Sequence, residues 1–260
     1  MESSLEKNLQ LKLSRLGYFL VYKKNVPSTI DLAAGINNKN IPCAIIAAHQ
    51  TRGVGRYGHT WHDKKGGSIL MTIIENDYFF KKITPALLAQ LFVLSCCLTL
   101  GRITKNKNIK IKWPNDLVID DKKLGGVLTD CASRKDATLI SLGLNVRDSH
   151  VKNSSFLQSL SEKELDRANL IGDILAGWKK DKKSFEKKWK NNDCASYTKL
   201  WTNKSSLIGR NIQLLQDDVR QVSGEVKSTP LGGGLTIKAQ GRTIKIKLGD
   251  YLPGSIIINN

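Results

Sequence analysis

The chain has 260 residues, 40% of them hydrophobic and 25% charged, enough for a real core in one large domain with or without a small second one. Its 41 Lys and Arg against 23 Asp and Glu leave a formal charge of +18, which excludes an acidic protein and points to an anionic partner or substrate; a merely lysine-rich composition is the plainer source of the excess. The five cysteines (Cys43, Cys96, Cys97, Cys131 and Cys194) are odd in number and show no Cys-x-x-Cys or metal-like spacing, which points to buried thiols in a reducing compartment, the cytosol.

The start, "MESSLEKNLQ", has neither the basic flank nor the apolar core of a signal peptide. Residues 5–16 have the pattern of a short amphipathic helix, and "YFLVYKK" reads as a strand. "VPSTIDLAAG" is a turn and then a helix, capped by Ser28 or Thr29. "CAIIAAHQ" is a continuous apolar run, as in a strand buried on both faces. A glycine-rich stretch follows, then the strand "SILMTIIEN". The run "ALLAQLFVLSCCLTLG" is shorter than the ~20 residues of a bilayer span and carries Gln90, Ser95 and Thr99. It predicts a buried helix over 84–103, with Thr84 as cap and Pro85 in the first turn.

"IKIKWP" alternates like a strand with one wet face, and "DLVIDDKKLGGVLTD" reads as two strands around a turn at 120–122. "ATLISLGLNV" is another strand, and "RDSHVKNSSFLQSLS" a polar loop. Residues 164–190 read as a helix with Ile174, Trp178, Phe185 and Trp189 on one face and lysines on the others. From about residue 205 short strands alternate with glycine turns, as in "GGGLTIKAQGRTIKIKLGDYL". Without a regular βαβ alternation the expected class is α+β, with residues 1–204 as one domain and 205–260 as a small β-barrel.

Four stretches carry chemistry. In "QTRGVGRYGHTW" glycines expose backbone N–H groups and arginines add bidentate donors, a loop suited to an anionic small molecule. It has neither P-loop nor dinucleotide-fingerprint spacing, and a surface loop with incidental arginines is the alternative. In "KWPNDL" the proline stops the strand, so Asn115 and Asp116 present polar tips beside Lys112. Such a set could hold phosphate and magnesium, or be an ordinary Asn-Asp turn. In "KKLGGVLTD" two adjacent glycines weaken a strand, so a ligand or another backbone is expected there, with Lys123 just ahead of them. In "SLGLNV" Gly143 opens space and Asn145 ends the strand with an amide.

Together and in this order, these motifs resemble the biotin–protein ligases, with "KWPNDL" beside "KLGG" as the most specific part. The resemblance implies a mixed sheet flanked by helices, as in class II aminoacyl-tRNA synthetases, and an SH3-like C-terminal barrel. It implies two steps: biotin and ATP give biotinyl-5′-AMP, and a lysine of a biotin carboxyl carrier domain then takes the biotin. By similarity Ser28, Thr29 and Gln50 hold the ureido ring. Ile30, Gly53, Val54, Gly55, Trp61 and Gly126 line the biotin site, and Arg56 is the loop's key cation. Lys123 contacts the biotin carboxylate and α-phosphate, and Lys112, Asn115, Asp116, Asn145 and His59 serve the nucleotide. Asp116 is the candidate magnesium contact. ATP, magnesium and biotin enter as substrates, with no prosthetic group.

The chain departs from the family pattern at Val54 and His59, where arginines are usual, at Ile30, and at Ser141 and Leu142, which replace smaller residues. Arg52 is expected to compensate partly for Val54. Fewer than thirty residues precede Ser28, so no DNA-binding helix-turn-helix is expected. No membrane contact is expected either, and a homodimer through a sheet edge is compatible with the family. Three rivals stand beside this reading: a lipoate or octanoate ligase, a basic nucleic-acid-binding protein, and a degenerate member that binds biotin without turnover.

Overall fold

The computed structural model describes residues 2–36, 42–134, 137–147, 151, 153–215, 221–247 and 256–259. Residues 148–150 and 152 of the expected polar loop, and 248–252 of the expected alternating tail, lie outside the described residues. In chain order the elements are α1 (Glu2–Arg15), β1 (Phe19–Val26), α2 (Thr29–Gly35), β2 (Cys43–Gln50), β3 (Gly53–Val54), β4 (Thr60–Trp61), β5 (Ser68–Glu75) and α3 (Pro85–Ile103). Then come β6 (Lys110–Lys112), β7 (Asp116–Ile119), β8 (Lys122–Asp130), β9 (Thr138–Asn145), α4 (Arg167–Lys190) and α5 (Ala195–Lys204). The chain ends with β10 (Asn211–Leu215), β11 (Gln221–Ser228), β12 (Leu235–Ala239), β13 (Arg242–Ile246) and β14 (Ile257–Asn259).

Seven strands form one mixed sheet in the order β1-β2-β5-β9-β8-β7-β6, parallel at β1–β2 and antiparallel elsewhere. Because side chains alternate across a strand, β5 and β9 each divide their residues between two faces. Ile69, Met71, Ile73, Ile140, Leu142 and Leu144 join the main core with α3 and α4. Leu70, Ile74 and Leu139 pack on the opposite side, toward α2 and Trp61. Thr72, Ser141 and Gly143 share the parity of that second face, which is the face that carries the cavity described below. The residues after 205 build an antiparallel five-stranded sheet, β13-β12-β11-β10-β14. It is tied to the first sheet by Trp113 Nε1, in the β6–β7 turn, which donates to the Gly233 carbonyl (3.1 Å), and to helix α5 by Trp201 Nε1, which donates to the Thr229 carbonyl (2.6 Å).

The long apolar helix is α3, capped by the Thr84 hydroxyl at the Leu87 N–H and buried along most of its length. Helix α4 begins at Arg167 because the Asp166 carboxylate accepts the Asn169 N–H (2.8 Å). Ile174, Trp178 and Phe185 are buried as expected, whereas Trp189, in the last turn, is 38% exposed and lies edge-on to Phe79. Helix α5 has no counterpart in the sequence reading, because only Tyr197 and Trp201 mark its buried face.

At the end of β5 a buried carboxylate, Glu75, accepts from Tyr18 Oη (2.6 Å), Trp178 Nε1 (3.1 Å) and Lys182 Nζ (3.1 Å). Burial works against the Lys182 charge, yet Glu75 and Asp77 raise its pKa above the ordinary lysine value. Burial first, and then Glu75, push the Tyr18 hydroxyl well up. Removing the cation strands a buried charge, whereas removing the tyrosine hydroxyl removes one neutral donor. Lys182→Met is therefore expected to lower the unfolding free energy by about 3 kcal/mol, and Tyr18→Phe by about 1 kcal/mol. Urea denaturation checks the order.

Candidate active site

The stretch "QTRGVGRYGHTW" folds as a hairpin. Gly53 pairs with Trp61 and Val54 with Thr60, and a 3-10 turn at Arg56–Gly58 makes the tip. The Gly55 N–H donates to the His59 carbonyl at 2.6 Å, and Gly58 sits at φ 79°, a conformation that favours glycine. At the base Trp61 packs against Val26, Ala47 and Leu70. The indole anchors the hairpin, and the tip carries Arg56 and His59 to the mouth of a cavity of about 620 Å³. The other walls are the β6–β7 turn, strands β8 and β9, and Ile256 ahead of β14.

One half of the cavity is neutral. Thr29, Ile30, Gln50, Trp61, Ser141 and Gly143 line it. The Gln50 amide oxygen accepts both the Thr29 N–H (2.7 Å) and the Thr29 hydroxyl (2.9 Å). Behind Thr29 lies Thr72, bonded to the Thr29 and Ser141 hydroxyls at 2.9 Å each. The Trp61 ring lies so close to β9 that a Cβ at Gly143 would fall 2.7 Å from it, far inside contact distance. The absence of a side chain at Gly143 leaves room for the Trp61 ring to lie on the strand.

The other half is charged. Arg56, His59, Lys112, Asn115, Asp116 and Lys123 line it, with Val54, Gly55 and Gly126 between. Lys123 Nζ stands 3.0 Å from Asp116 Oδ1 and 5.7 Å from the centre of the Trp61 ring, so it marks the junction of the halves. A Cβ at Gly126 would approach Asp116 Oδ1 to 2.8 Å; the space kept there belongs to the lysine and its carboxylate. Asn115 is locked by its side-chain bond to the Val127 carbonyl, which turns its oxygen toward Arg56 Nη1 (3.4 Å). Burial lowers the Lys112 pKa, with Asp116 and Asp121 pulling it up and Lys123 and Arg210 pulling it down. Its ammonium donates to the Ile256 carbonyl at 3.1 Å, so the C-terminal segment helps to close this end.

Three residues singled out in the sequence do not line the cavity. Ser28 is the buried N-cap of α2, its hydroxyl accepting the Ile30 N–H at 3.1 Å. Gly53 is committed to the hairpin ladder. Asn145 is buried behind the wall, donating to the Ser155 carbonyl (3.2 Å). The expectation for Arg52 is corrected: its guanidinium bonds Asp31 (3.0 Å) on the surface and does not stand in for the arginine absent at Val54. Among the described residues no cluster of three or more His, Cys, Asp or Glu is placed to hold a metal, and Asp116 is paired with Lys123. Residues on or behind the cavity wall that the sequence did not mark include Trp113 and Thr72, which look like core residues. Asp121 is another; both its carboxylate oxygens accept from Arg210 Nη1 (2.7 and 2.8 Å), which ties the cavity wall to the C-terminal sheet.

Residues 22–146, which hold the hairpin, the β6–β7 turn and strand β9, match the Biotin/lipoate A/B protein ligase family. The chain is 30% identical over 229 residues to the bifunctional ligase/repressor BirA of Bacillus subtilis, covering 81% of this chain and 67% of that protein. To the BirA of Bacillus spizizenii it is 29% identical over 269 residues, covering 95% and 78%. Its fold is shared with the biotin protein ligase from Aquifex aeolicus in complex with biotin and ATP, at a TM-score of 0.77 and 23% identity over 93% of this chain and 99% of that one.

The contact between Trp61 and Gly143 is directly testable. Gly143→Ala is expected to cost about 1–3 kcal/mol of stability, the usual penalty of overpacking. In a Trp61→Ala background the same substitution should cost almost nothing, because the methyl group then has room. Chemical denaturation of the four proteins gives the coupling.

Proposed function

Because this chain belongs to the biotin–protein ligase family, we propose a division of labour between the two halves of its cavity. The chain is an ATP-dependent biotin–protein ligase that joins biotin to a carrier-protein acceptor. The neutral half takes the bicyclic ring of biotin, with Gln50 and Thr29 on the ureido group and Trp61 over the apolar part. The charged half takes ATP. One observation carries this reading: Lys123 sits where the halves meet, beside Trp61 on one side and Asp116 on the other.

In the first step a biotin carboxylate oxygen attacks the α-phosphorus of ATP and pyrophosphate leaves. Both reactants are anions, and like charges about 4 Å apart cost about 4 kcal/mol at a protein surface. Lys123, shared between carboxylate and α-phosphate, removes that repulsion and stabilises the charge that builds up in transfer. Arg56 and Lys112 neutralise the remaining phosphates. Burial lowers the Lys112 pKa, and the arriving phosphates offset that by favouring its charged form. Magnesium would enter as part of the nucleotide substrate, and the Asp116 carboxylate on the cavity wall would be the oxygen ligand that this chain offers it. In the second step the acceptor lysine's neutral amine attacks the acyl carbon, AMP leaves and the amine loses its proton. The substrates supply both nucleophiles, so no covalent enzyme intermediate is needed. The hairpin tip shields the mixed anhydride from water between the steps.

The acceptor is a biotin carboxyl carrier domain. The positive excess of the chain favours an acidic carrier through faster encounter. The cysteine thiols, all unpaired, support a reducing compartment such as the cytosol.

Labelled biotin, ATP, magnesium and a biotin carboxyl carrier domain test the proposal. Label should reach the carrier only with ATP. Lys123→Ala should slow the transfer by about 10²–10³-fold, the usual loss of one preorganised charge stabiliser. Transfer at the wild-type rate by that variant would move the reacting centre away from the junction.

A further inference from the structure

The direction of the buried hydroxyl chain in the neutral half is determined by its far end. The Thr29 backbone N–H, which can only donate, points at the Gln50 side chain (2.7 Å), so the group it meets is the amide oxygen. The Thr29 hydroxyl, 2.9 Å from the same oxygen, must donate there too. A hydroxyl has one proton. The Thr29 oxygen therefore accepts from Thr72 (2.9 Å), and the Thr72 proton is spent on that bond. In the contact between Thr72 and Ser141 (2.9 Å) either oxygen could donate in isolation. Within the chain only Ser141 has a proton left to give. The order is Ser141 to Thr72 to Thr29 to Gln50.

Two consequences follow for the cavity wall. Thr72 is fully buried, but Ser141 is 8% exposed and lines the cavity. With its proton directed inward, Ser141 faces the ligand with lone pairs only. At the other end the Gln50 oxygen is spent, so its amide N–H groups are what it offers. The wall thus presents an acceptor at Ser141 and donors at Gln50. A cyclic urea matches this pair with a ring N–H and a carbonyl oxygen.

We propose that Ser141 is a specificity-determining residue, a one-way acceptor for a ring N–H of the bound cyclic urea; this rests on the biotin reading above. Thr72, which never reaches the ligand, is the positioning residue that holds the Ser141 proton away. A site with an oriented acceptor rejects an isostere that lacks the donor more strongly than an apolar wall does.

The test titrates three proteins by calorimetry with biotin and its two carbamate analogues, in each of which a ring oxygen replaces one ureido N–H. The proteins are wild type, Ser141→Ala and Thr72→Val. Wild type should bind one analogue at least about tenfold more weakly than biotin, because two sets of lone pairs then face each other. Ser141→Ala should shrink that ratio several-fold. Thr72→Val should also shrink it although Ser141 is still present, because the freed hydroxyl can turn and donate to the ring oxygen. A role for Ser141 in packing alone would not move the ratio in Thr72→Val. If wild type binds biotin but the ratio is the same in all three proteins, the proposal is overturned. If wild type does not bind biotin at all, the ligase reading beneath it falls first.

Discussion

Two anions must meet in this cavity, and mutual repulsion is the constraint that its charged half answers. A carboxylate does not approach a triphosphate in water without compensation. The cations that provide it come from three different elements. Arg56 is on the hairpin tip, Lys112 ends β6 and Lys123 is the second residue of β8. Each is held by a partner that fixes it without neutralising it fully. Arg56 faces the Asn115 oxygen, Lys112 donates to a backbone carbonyl, and Lys123 pairs with the partly buried Asp116 carboxylate. Preorganised groups of this kind need not reorganise when charge develops. The cost appears at Lys112, where burial lowers the affinity for its proton.

The neutral half solves a different problem, which is recognition without charge. Its floor follows from the alternation of β5 and β9. One parity of residues feeds the helical core behind the sheet, and the other brings Thr72, Ser141 and Gly143 to the ligand face. Gly143 makes room for Trp61, and Trp61 in turn anchors the hairpin that carries Arg56. The packing of one ring on one glycine therefore links ring recognition to the placement of a cation.

Much of this was legible in the chain itself. The order of the glycine–arginine loop, "KWPNDL", "KLGG" and the Gly143 strand indicated the family, and Thr84 with Pro85 marked the start of α3. Such local signals survive because they depend on neighbours in sequence. What was hidden depends on distant partners. Thr72 lies in an apolar run and is recognisable as the polar residue behind the cavity wall only once β5 is paired with β9 and faced by α2. Arg52 resembled a substitute for the loop arginine until Asp31, 21 residues away, claimed it. Asp121 meets Arg210 across 89 residues, and Lys112 meets Ile256 across 144. No spacing within the chain announces these. Departures such as Ser141, seen in sequence only as a change of size, take on chemical meaning when hydrogen-bond directions are traced.

On this mechanism biotin and ATP react with each other at the Lys123 junction before any acceptor arrives. Exchange of labelled pyrophosphate into ATP, measured without carrier protein, addresses it most directly. Exchange should require biotin and collapse in Lys123→Ala. A carrier that becomes biotinylated while no biotin-dependent exchange can be detected would contradict it.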